Sequence, residues 1–176
     1  MHWVRRAASR PLQEADPSEI GGKFRVLEHV GTGASSAVYL CEDDSGNLVA
    51  VKYLHRHLSS IHKFRERFFT EAERARQVQS DFTVKVLEFG TDPESLWMAM
   101  DYVDGPNLHS ARDATNFDDS LILSISARTA RGLADIHGAG IIHRDLNPKN
   151  VLLADAETGP ELKIVDFGIS RDAGDL

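Results

Sequence analysis

Cysteine is nearly absent: Cys41 stands alone in 176 residues, which excludes an internal disulfide, and no Cys/His spacing fits a zinc site. A reducing, intracellular setting is the default that follows, and the segment is expected to be cytoplasmic. Basic residues are the scarcer sign of charge. The 20 Lys and Arg against 27 Asp and Glu leave a net charge of −7 with histidine neutral, which argues against a generic nucleic-acid binder. Long apolar runs are missing too. The longest, around Leu121 to Ile125, is interrupted by Ser124 and falls short of the roughly 18 residues a membrane helix requires, so no membrane segment is expected in this chain. Arg5, Arg6 and Arg10 stand near the start without an acid among them, yet Glu14, Asp16 and Glu19 follow and no hydrophobic stretch does. Residues 1–22 therefore read as a flexible solvated tail and not as a targeting peptide.

What is present is an ordinary globular composition, 41% hydrophobic and 27% charged. At roughly 150 ordered residues a domain buries about 70% of its unfolded surface, so the chain can hold a core. Folded structure is predicted from Lys23. Phe24–Val30, Ala37–Glu42 and Leu48–Leu54 are short, rich in β-branched and aromatic residues and punctuated by glycine. The turn residues of Asp43-Asp44-Ser45-Gly46-Asn47 predict that the second and third pair as a hairpin, completing a three-stranded meander. A helix is predicted over 60–79, where Phe64, Phe68, Ala72, Ala75 and Val78 recur at intervals of three and four. Strands are expected at Val84–Phe89 and Leu96–Tyr102. After Gly105-Pro106 a second helix is expected over 120–139, with Ile122, Ile125, Thr129, Leu133 and Ile136 along one side. Loop and short strands at Ile141–Ile142, Val151–Leu153 and Leu162–Val165 close the pattern. This order is α+β and not a regular βαβ succession.

Five groups of residues carry chemistry. Gly31-Thr32-Gly33-Ala34-Ser35-Ser36-Ala37-Val38 is a glycine-rich turn between two strands, able to bring backbone N–H groups close to phosphate. A plain hairpin turn with two glycines is the alternative at this point. No Gly-Lys-Ser/Thr follows, so it is not a Walker loop, and a strand instead of a helix comes next, which disfavours a dinucleotide turn. Lys52 lies inside the apolar run 49–54. Glu71 falls within the apolar stripe of the first helix, seven residues after Phe64 and four before Ala75, whereas Glu73 points the other way. A carboxylate on a buried face calls for a cation, and a Lys52–Glu71 ion pair is the economical expectation. The fourth group is Ile142-His143-Arg144-Asp145-Leu146-Asn147-Pro148-Lys149-Asn150 and the fifth Asp166-Phe167-Gly168, which together offer oxygen ligands suited to Mg²⁺ beside nucleotide phosphates.

These motifs, in this order, resemble the protein kinase family, and in particular the bacterial Ser/Thr kinases of eukaryotic type, from about Phe24 to Ser170. The resemblance implies a bilobal α+β fold. A complete five-stranded antiparallel small lobe with one helix would occupy about 23–100 and the hinge about 101–105. Only the first part of a mainly helical large lobe would fill 106–176. It implies ATP and Mg²⁺ as cofactors and a protein substrate of unknown identity. By resemblance Gly31, Thr32, Gly33 and Val38 belong to the phosphate-covering turn, and Val38, Ala50 and Leu152 enclose the adenine. Met100, Asp101 and Val103 line the hinge, with Met100 as gatekeeper. Lys52, oriented by Glu71, holds the α and β phosphates, Asp145 is the catalytic aspartate, and Asn150 and Asp166 hold the metal. His143 and Phe167 match a stacked regulatory spine, which makes His143 packed core and not a proton shuttle.

Three departures accompany the resemblance. Ser36 stands at the usual third glycine of the turn. Asn147 stands where a lysine ordinarily contacts the γ phosphate, and Lys149 is the cation that would replace it. Leu176 comes ten residues after Asp166, so the activation segment and later helices of the family lie outside the sequence. The expectation is an N-terminal portion of a kinase domain that binds nucleotide and phosphorylates protein weakly or not at all in isolation. Many such kinases carry a membrane helix beyond the kinase domain. Two alternatives are a catalytically inactive kinase-like module that binds nucleotide or a partner, and a small-molecule phosphotransferase. The second fits less well, since such enzymes usually lack the joint His-Arg-Asp and Asp-Phe-Gly spelling.

Overall fold

Alternation of buried and exposed residues, interrupted by polar turns, dictates an antiparallel sheet. In the computed structural model, which describes residues 9–93, 95–114, 116–154 and 161–167, the described residues fall into two units. The first comprises 9–76 and 86–102. Its strands are β1 (Glu19–Ile20), β2 (Phe24–Thr32), β3 (Ser36–Glu42), β4 (Leu48–Leu54), β5 (Val86–Thr91) and β6 (Leu96–Asp101), arranged β1-β2-β3-β4-β6-β5. The sheet thus has six strands and not the five expected, because Glu19 and Ile20 pair with Arg25 and Phe24.

The β3–β4 turn forms as its residues demand. The Asp43 carboxylate accepts the Ser45 and Asn47 backbone N–H groups at 2.9 and 2.8 Å, and Gly46 takes a φ of +83° that a side chain would resist. Ala37, Tyr39, Cys41, Val49, Val51, Trp97 and Ala99 project from one face and pack with Ile20, Phe24 and Val26 into a core. Two helices follow β4: α1 (Arg56–Ser59), not expected from sequence, and α2 (His62–Arg76). Ser59 anchors α1, its Oγ lying 3.1 Å from Ser95 Oγ and accepting the Leu96 N–H at 3.1 Å. Phe64, Phe68, Ala72 and Ala75 are the buried side of α2, as the spacing predicts. The helix stops at Arg76, so Val78 lies beyond it.

Residues 10–22 are not a tail. Arg10 makes an antiparallel bridge to His29, the Val26 N–H donates to Ser18 O at 3.0 Å, and Ile20 is fully buried. Sequence patterning missed this because the segment has almost no periodicity and is held by polar contacts. Arg10 reaches both Asp16 oxygens, at 2.6 and 2.9 Å, while the Gln13 N–H and the Tyr39 hydroxyl donate to the same carboxylate at 2.8 and 3.1 Å. The hydrogen-bonded guanidinium holds Asp16 well below the usual carboxylate range, and burial together with donation to Asp16 pushes Tyr39 up to about 12. A carboxylate depressed in the folded state stabilises fully above its unfolded pKa of about 3.9 and loses that contribution as the pH falls toward its folded value. Asp16→Asn is therefore expected to lower the urea midpoint at neutral pH, with the gap to wild type narrowing between about pH 4 and pH 2. A gap of constant size across that window would show that the Asp16 charge does not contribute.

The second unit comprises 77–85 and 103–167. It contains α3 (Leu108–Ala114), α4 (Asp119–Gly138), a single turn of 3₁₀ helix at Pro148–Asn150, and a hairpin of β7 (Val151–Ala154) and β8 (Glu161–Ile164). Asp118 caps α4 by accepting the Leu121 N–H at 2.7 Å. Ile125, Gly132 and Ile136 are its buried positions, whereas Ile122, expected on the same side, is 47% exposed. The strand expected at Val84–Phe89 is divided. Val84 donates its N–H to Ile164 O at 3.1 Å in this unit, and β5 begins only at Val86. Buried valines at both 84 and 86 give one alternating pattern, so sequence alone could not show that the chain changes partner between them. Among the described residues no helix is long and apolar enough to cross a membrane.

Candidate functional site

Strand register decides which side chains of the first unit share a face. Val38 lies opposite Lys52, and Lys52 opposite Met98; Leu40 lies opposite Ala50, and Ala50 opposite Met100. Directly opposed residues project to one side of a sheet, as do residues two apart, so Val38, Ala50, Lys52 and Met100 occupy a single face, the reverse of the Trp97 core. Asp101 falls on the other. Lys52 is 4% exposed, an ammonium buried among apolar neighbours that requires oxygen partners. Glu71 is half-buried on α2 beside the fully buried Ala72, and Glu73 is exposed, the division the helical spacing predicts. The α2 helix packs on β5, where the Phe69 and Phe89 rings lie 6.1 Å apart.

The glycine-rich turn joins β2 to β3. The Gly33 N–H donates to Ser36 O at 2.7 Å, closing it, and leaves Thr32, Gly33 and Ala34 exposed with Gly31 half-buried. Ser36, at the place of a third glycine, is itself 4% exposed.

In the second unit the loop from Ile141 to Asn150 is fixed by its own polar groups. His143 is buried; its Nε2 donates to Val165 O at 3.0 Å while Nδ1 accepts the Asp145 N–H at 3.4 Å, and its ring lies 6.4 Å from that of Phe167. With one nitrogen donating and the other accepting, the imidazole is a neutral brace. Asp145 O receives two amides, Asn147 Nδ2 at 2.9 Å and Asn150 Nδ2 at 2.8 Å, and Asn150 Nδ2 also lies 3.3 Å from Asp145 Oδ2. Asn150 O in turn accepts the Val165 N–H at 3.0 Å, which sets Asp166 beside it. Arg144 and Asp166 both adopt left-handed backbone, φ 63° and 61°, where no glycine relieves the strain. Such strain persists only where the surroundings impose it, and it gathers at functional sites.

Asp145 and Asn150 are therefore joined by the Asn150 side-chain amide, and the Val165 N–H bond to Asn150 O ties in the residue that precedes Asp166. With Nδ2 of Asn150 turned to Asp145, its Oδ1 is the end left for a cation. Among the described residues no group of three or more His, Cys, Asp and Glu forms a metal cage. One amide oxygen and one carboxylate are a donor set that fits Mg²⁺, which keeps waters and takes substrate phosphates as its remaining ligands. The residues thus fit the ion.

Asn147 does something the sequence did not suggest. Its Oδ1 accepts the Lys149 N–H at 2.9 Å, capping the 3₁₀ turn, while its Nδ2 holds Asp145 O. An Asn followed by Pro at the first position of a turn is a readable capping signal, and here it braces the aspartate. Lys149 is exposed on that turn. Leu152, half-buried on β7, bridges to Asn107, and Val103 is half-buried in irregular backbone. Gly168 and Ser170 lie outside the described residues.

Comparison with known proteins gives the family and the fold. The family model for the protein kinase domain matches residues 24–175. Serine/threonine-protein kinase pkn2 of Myxococcus xanthus is 36% identical over 157 residues, 89% of this chain and 19% of that protein. AfsK of Streptomyces griseus, also a serine/threonine-protein kinase, is 38% identical over 162 residues, 90% of this chain and 19% of its own length. The crystal structure of the Mycobacterium tuberculosis PknI kinase domain superposes with a TM-score of 0.74 at 30% identity, covering 89% of this chain and 64% of that one. The chain thus spans about a fifth of the length of these curated relatives.

Proposed function

The chain belongs to the protein kinase family, and from that premise we propose that it transfers the γ phosphate of Mg-ATP to serine or threonine hydroxyls of proteins. The observation that carries this reading is the hydrogen-bonded catalytic loop, which presents Asp145, Asn150 and Asp166 on one braced backbone. Asp145 orients the acceptor hydroxyl and takes its proton as the oxygen attacks. The Lys52 ammonium, held by Glu71, grips phosphate oxygens, and the glycine-rich turn from Gly31 to Ser36 covers them. The residues assigned to adenine are Val38, Ala50, Met100 and Asp101 in the first unit and Val103 and Leu152 in the second. Asn150 and Asp166 would hold Mg²⁺, which when bound neutralises phosphate charge. Because the transition state spreads charge over phosphoryl oxygens, the protein contributes chiefly position and electrostatics. Asn147 supplies no charge to this cradle, and Lys149 is the side chain that would.

Binding is tested by thermal unfolding. A ligand at one hundred times its dissociation constant adds about 2.7 kcal/mol, roughly 5–11 °C for a domain of this size. Mg-ATP should raise the wild-type Tm by that amount and leave Lys52→Ala nearly unshifted. Transfer is read as labelled phosphoserine or phosphothreonine in a protein acceptor. Binding without transfer is the result expected of an N-terminal portion alone and fits the kinase-like binding module equally, whereas no shift in folded wild-type protein would remove the nucleotide site.

A further inference from the structure

We infer that residues 10–16 form a strap that fixes the glycine-rich turn through His29, making His29 and Thr32 positioning residues for the nucleotide phosphates. The inference rests on reading Gly31–Ser36 as the phosphate-covering turn. Its elements all lie in the first unit.

The turn has an intrinsic weakness. Gly31 and Gly33 give its backbone freedom, and the β2–β3 ladder lapses just before it, since His29 pairs with Tyr39 and Gly31 with Val38, leaving Val30 unmatched. A side-chain bond spans that lapse. His29 Nε2 lies 2.8 Å from Thr32 Oγ1. His29 is 5% exposed, and its Nδ1 is buried with no hydrogen-bond partner among the described residues. A buried orphan acceptor is tolerated better than a buried orphan N–H, so the hydrogen is assigned to Nε2, which donates to the threonine.

The strap holds His29 from two sides. Its backbone exchanges hydrogen bonds with Arg10, Arg10 N to His29 O at 3.0 Å and His29 N to Arg10 O at 3.3 Å. Its ring meets Tyr39 edge-on at 5.4 Å, and the Tyr39 hydroxyl donates to Asp16, the carboxylate that Arg10 grips with both guanidinium nitrogens. Arg10, Asp16, Tyr39 and His29 thus form one closed circuit around the base of the turn. Across the turn, the His55 N–H donates to Ser35 O at 2.9 Å and His55 Nε2 donates to Gly33 O at 3.1 Å, so the β4 side is pinned as well. A turn that covers phosphate costs less to order when it is held in place beforehand, and restraint at both ends supplies that.

The test compares the wild-type chain with His29→Leu, His29→Gln, Thr32→Val and the His29→Leu/Thr32→Val double variant. Amide hydrogen exchange over 31–36 is read without nucleotide, and calorimetry gives the affinities of Mg-ATP and adenosine. Loss of this partly buried hydrogen bond should speed exchange at Gly33 and Ser36 and weaken Mg-ATP by about tenfold, with adenosine unaffected. Gln places an amide N–H near the position of Nε2 and should restore both. The double variant should be no worse than His29→Leu, since both remove one bond. Unchanged exchange in folded His29→Leu protein, additive effects in the double variant, or equal weakening of Mg-ATP and adenosine would overturn the strap. Wild-type protein that binds no Mg-ATP would overturn the phosphate-covering reading instead, and exchange over 31–36 would still decide whether His29 restrains the turn.

Discussion

Replacing Asp145 with asparagine is expected to cut phosphate transfer to a protein acceptor by about 10²- to 10⁴-fold, the usual contribution of a positioned general base, while the Mg-ATP dissociation constant stays nearly unchanged. The separation follows from the geometry. Most of the hydrogen bonding that fixes the loop uses Asp145 through its backbone: Asn147 Nδ2 and Asn150 Nδ2 both donate to Asp145 O, and the Asp145 N–H donates to His143. The carboxylate meets Asn150 Nδ2 at 3.3 Å through Oδ2, and an asparagine oxygen can occupy that place. The substitution therefore removes a proton acceptor and one negative charge while keeping the backbone bonds to Asn147, Asn150 and His143. Steady-state transfer measured beside calorimetric binding of Mg-ATP checks it. A loss below tenfold would mean that another group accepts the proton, whereas parallel loss of binding would mean that the carboxylate supports the nucleotide and not the acceptor.

The parts legible in the sequence are those whose physics is local. Alternation in 37–42 and 48–54 and the Asp43–Asn47 turn fix a hairpin, and hairpin register alone carries Val38, Ala50 and Lys52 to one face. Four apolar residues at helical spacing separate half-buried Glu71 from exposed Glu73 without knowledge of any partner. In the second unit, Asn150 Nδ2 bonds Asp145 O, and Asn150 O takes the N–H of Val165, the neighbour of Asp166. What could not be read is held by contacts between distant polar residues. Nothing in Arg10, Asp16 and Tyr39 announces that they meet, because an ion pair has no period and residues 10–16 and 39 are far apart in the chain. Val84 and Val86 alternate as one strand would, and only the competing demand of Ile164 for a backbone partner divides them. Asn147 was readable as a departure from a lysine, yet its role as a brace needed the positions of Asp145 O and the Lys149 N–H.

Gly105→Ala should destabilise the protein more than any exposed substitution, although the sequence offers Gly105-Pro106 only as a break between elements. The segment 105–107 lies directly along β7: Pro106 O accepts the Leu153 N–H at 2.9 Å, and Asn107 bridges to Leu152. A Cβ on residue 105 would stand 1.9 Å from Leu153 O and 2.8 Å from its carbonyl carbon. Both are backbone atoms of a paired strand, so no side chain can swing aside to relieve the collision. Either the segment retreats and loses its bond to β7, or β7 shifts against β8. Overpacking of this kind costs about 1–3 kcal/mol and more where backbone must move, and about 3 kcal/mol corresponds to roughly 6–12 °C in Tm for a chain of this size. The same displacement would move Leu152, the residue proposed to floor the adenine, so Mg-ATP affinity should fall together with stability. Calorimetric melting and Mg-ATP titration of Gly105→Ala check both, with Gly138→Ala as the control, because a Cβ there meets nothing within 4 Å. Equal Tm values for the two variants would show that the 105–107 segment is free to move off β7 at no cost. A stability loss without loss of affinity would separate Leu152 from the nucleotide.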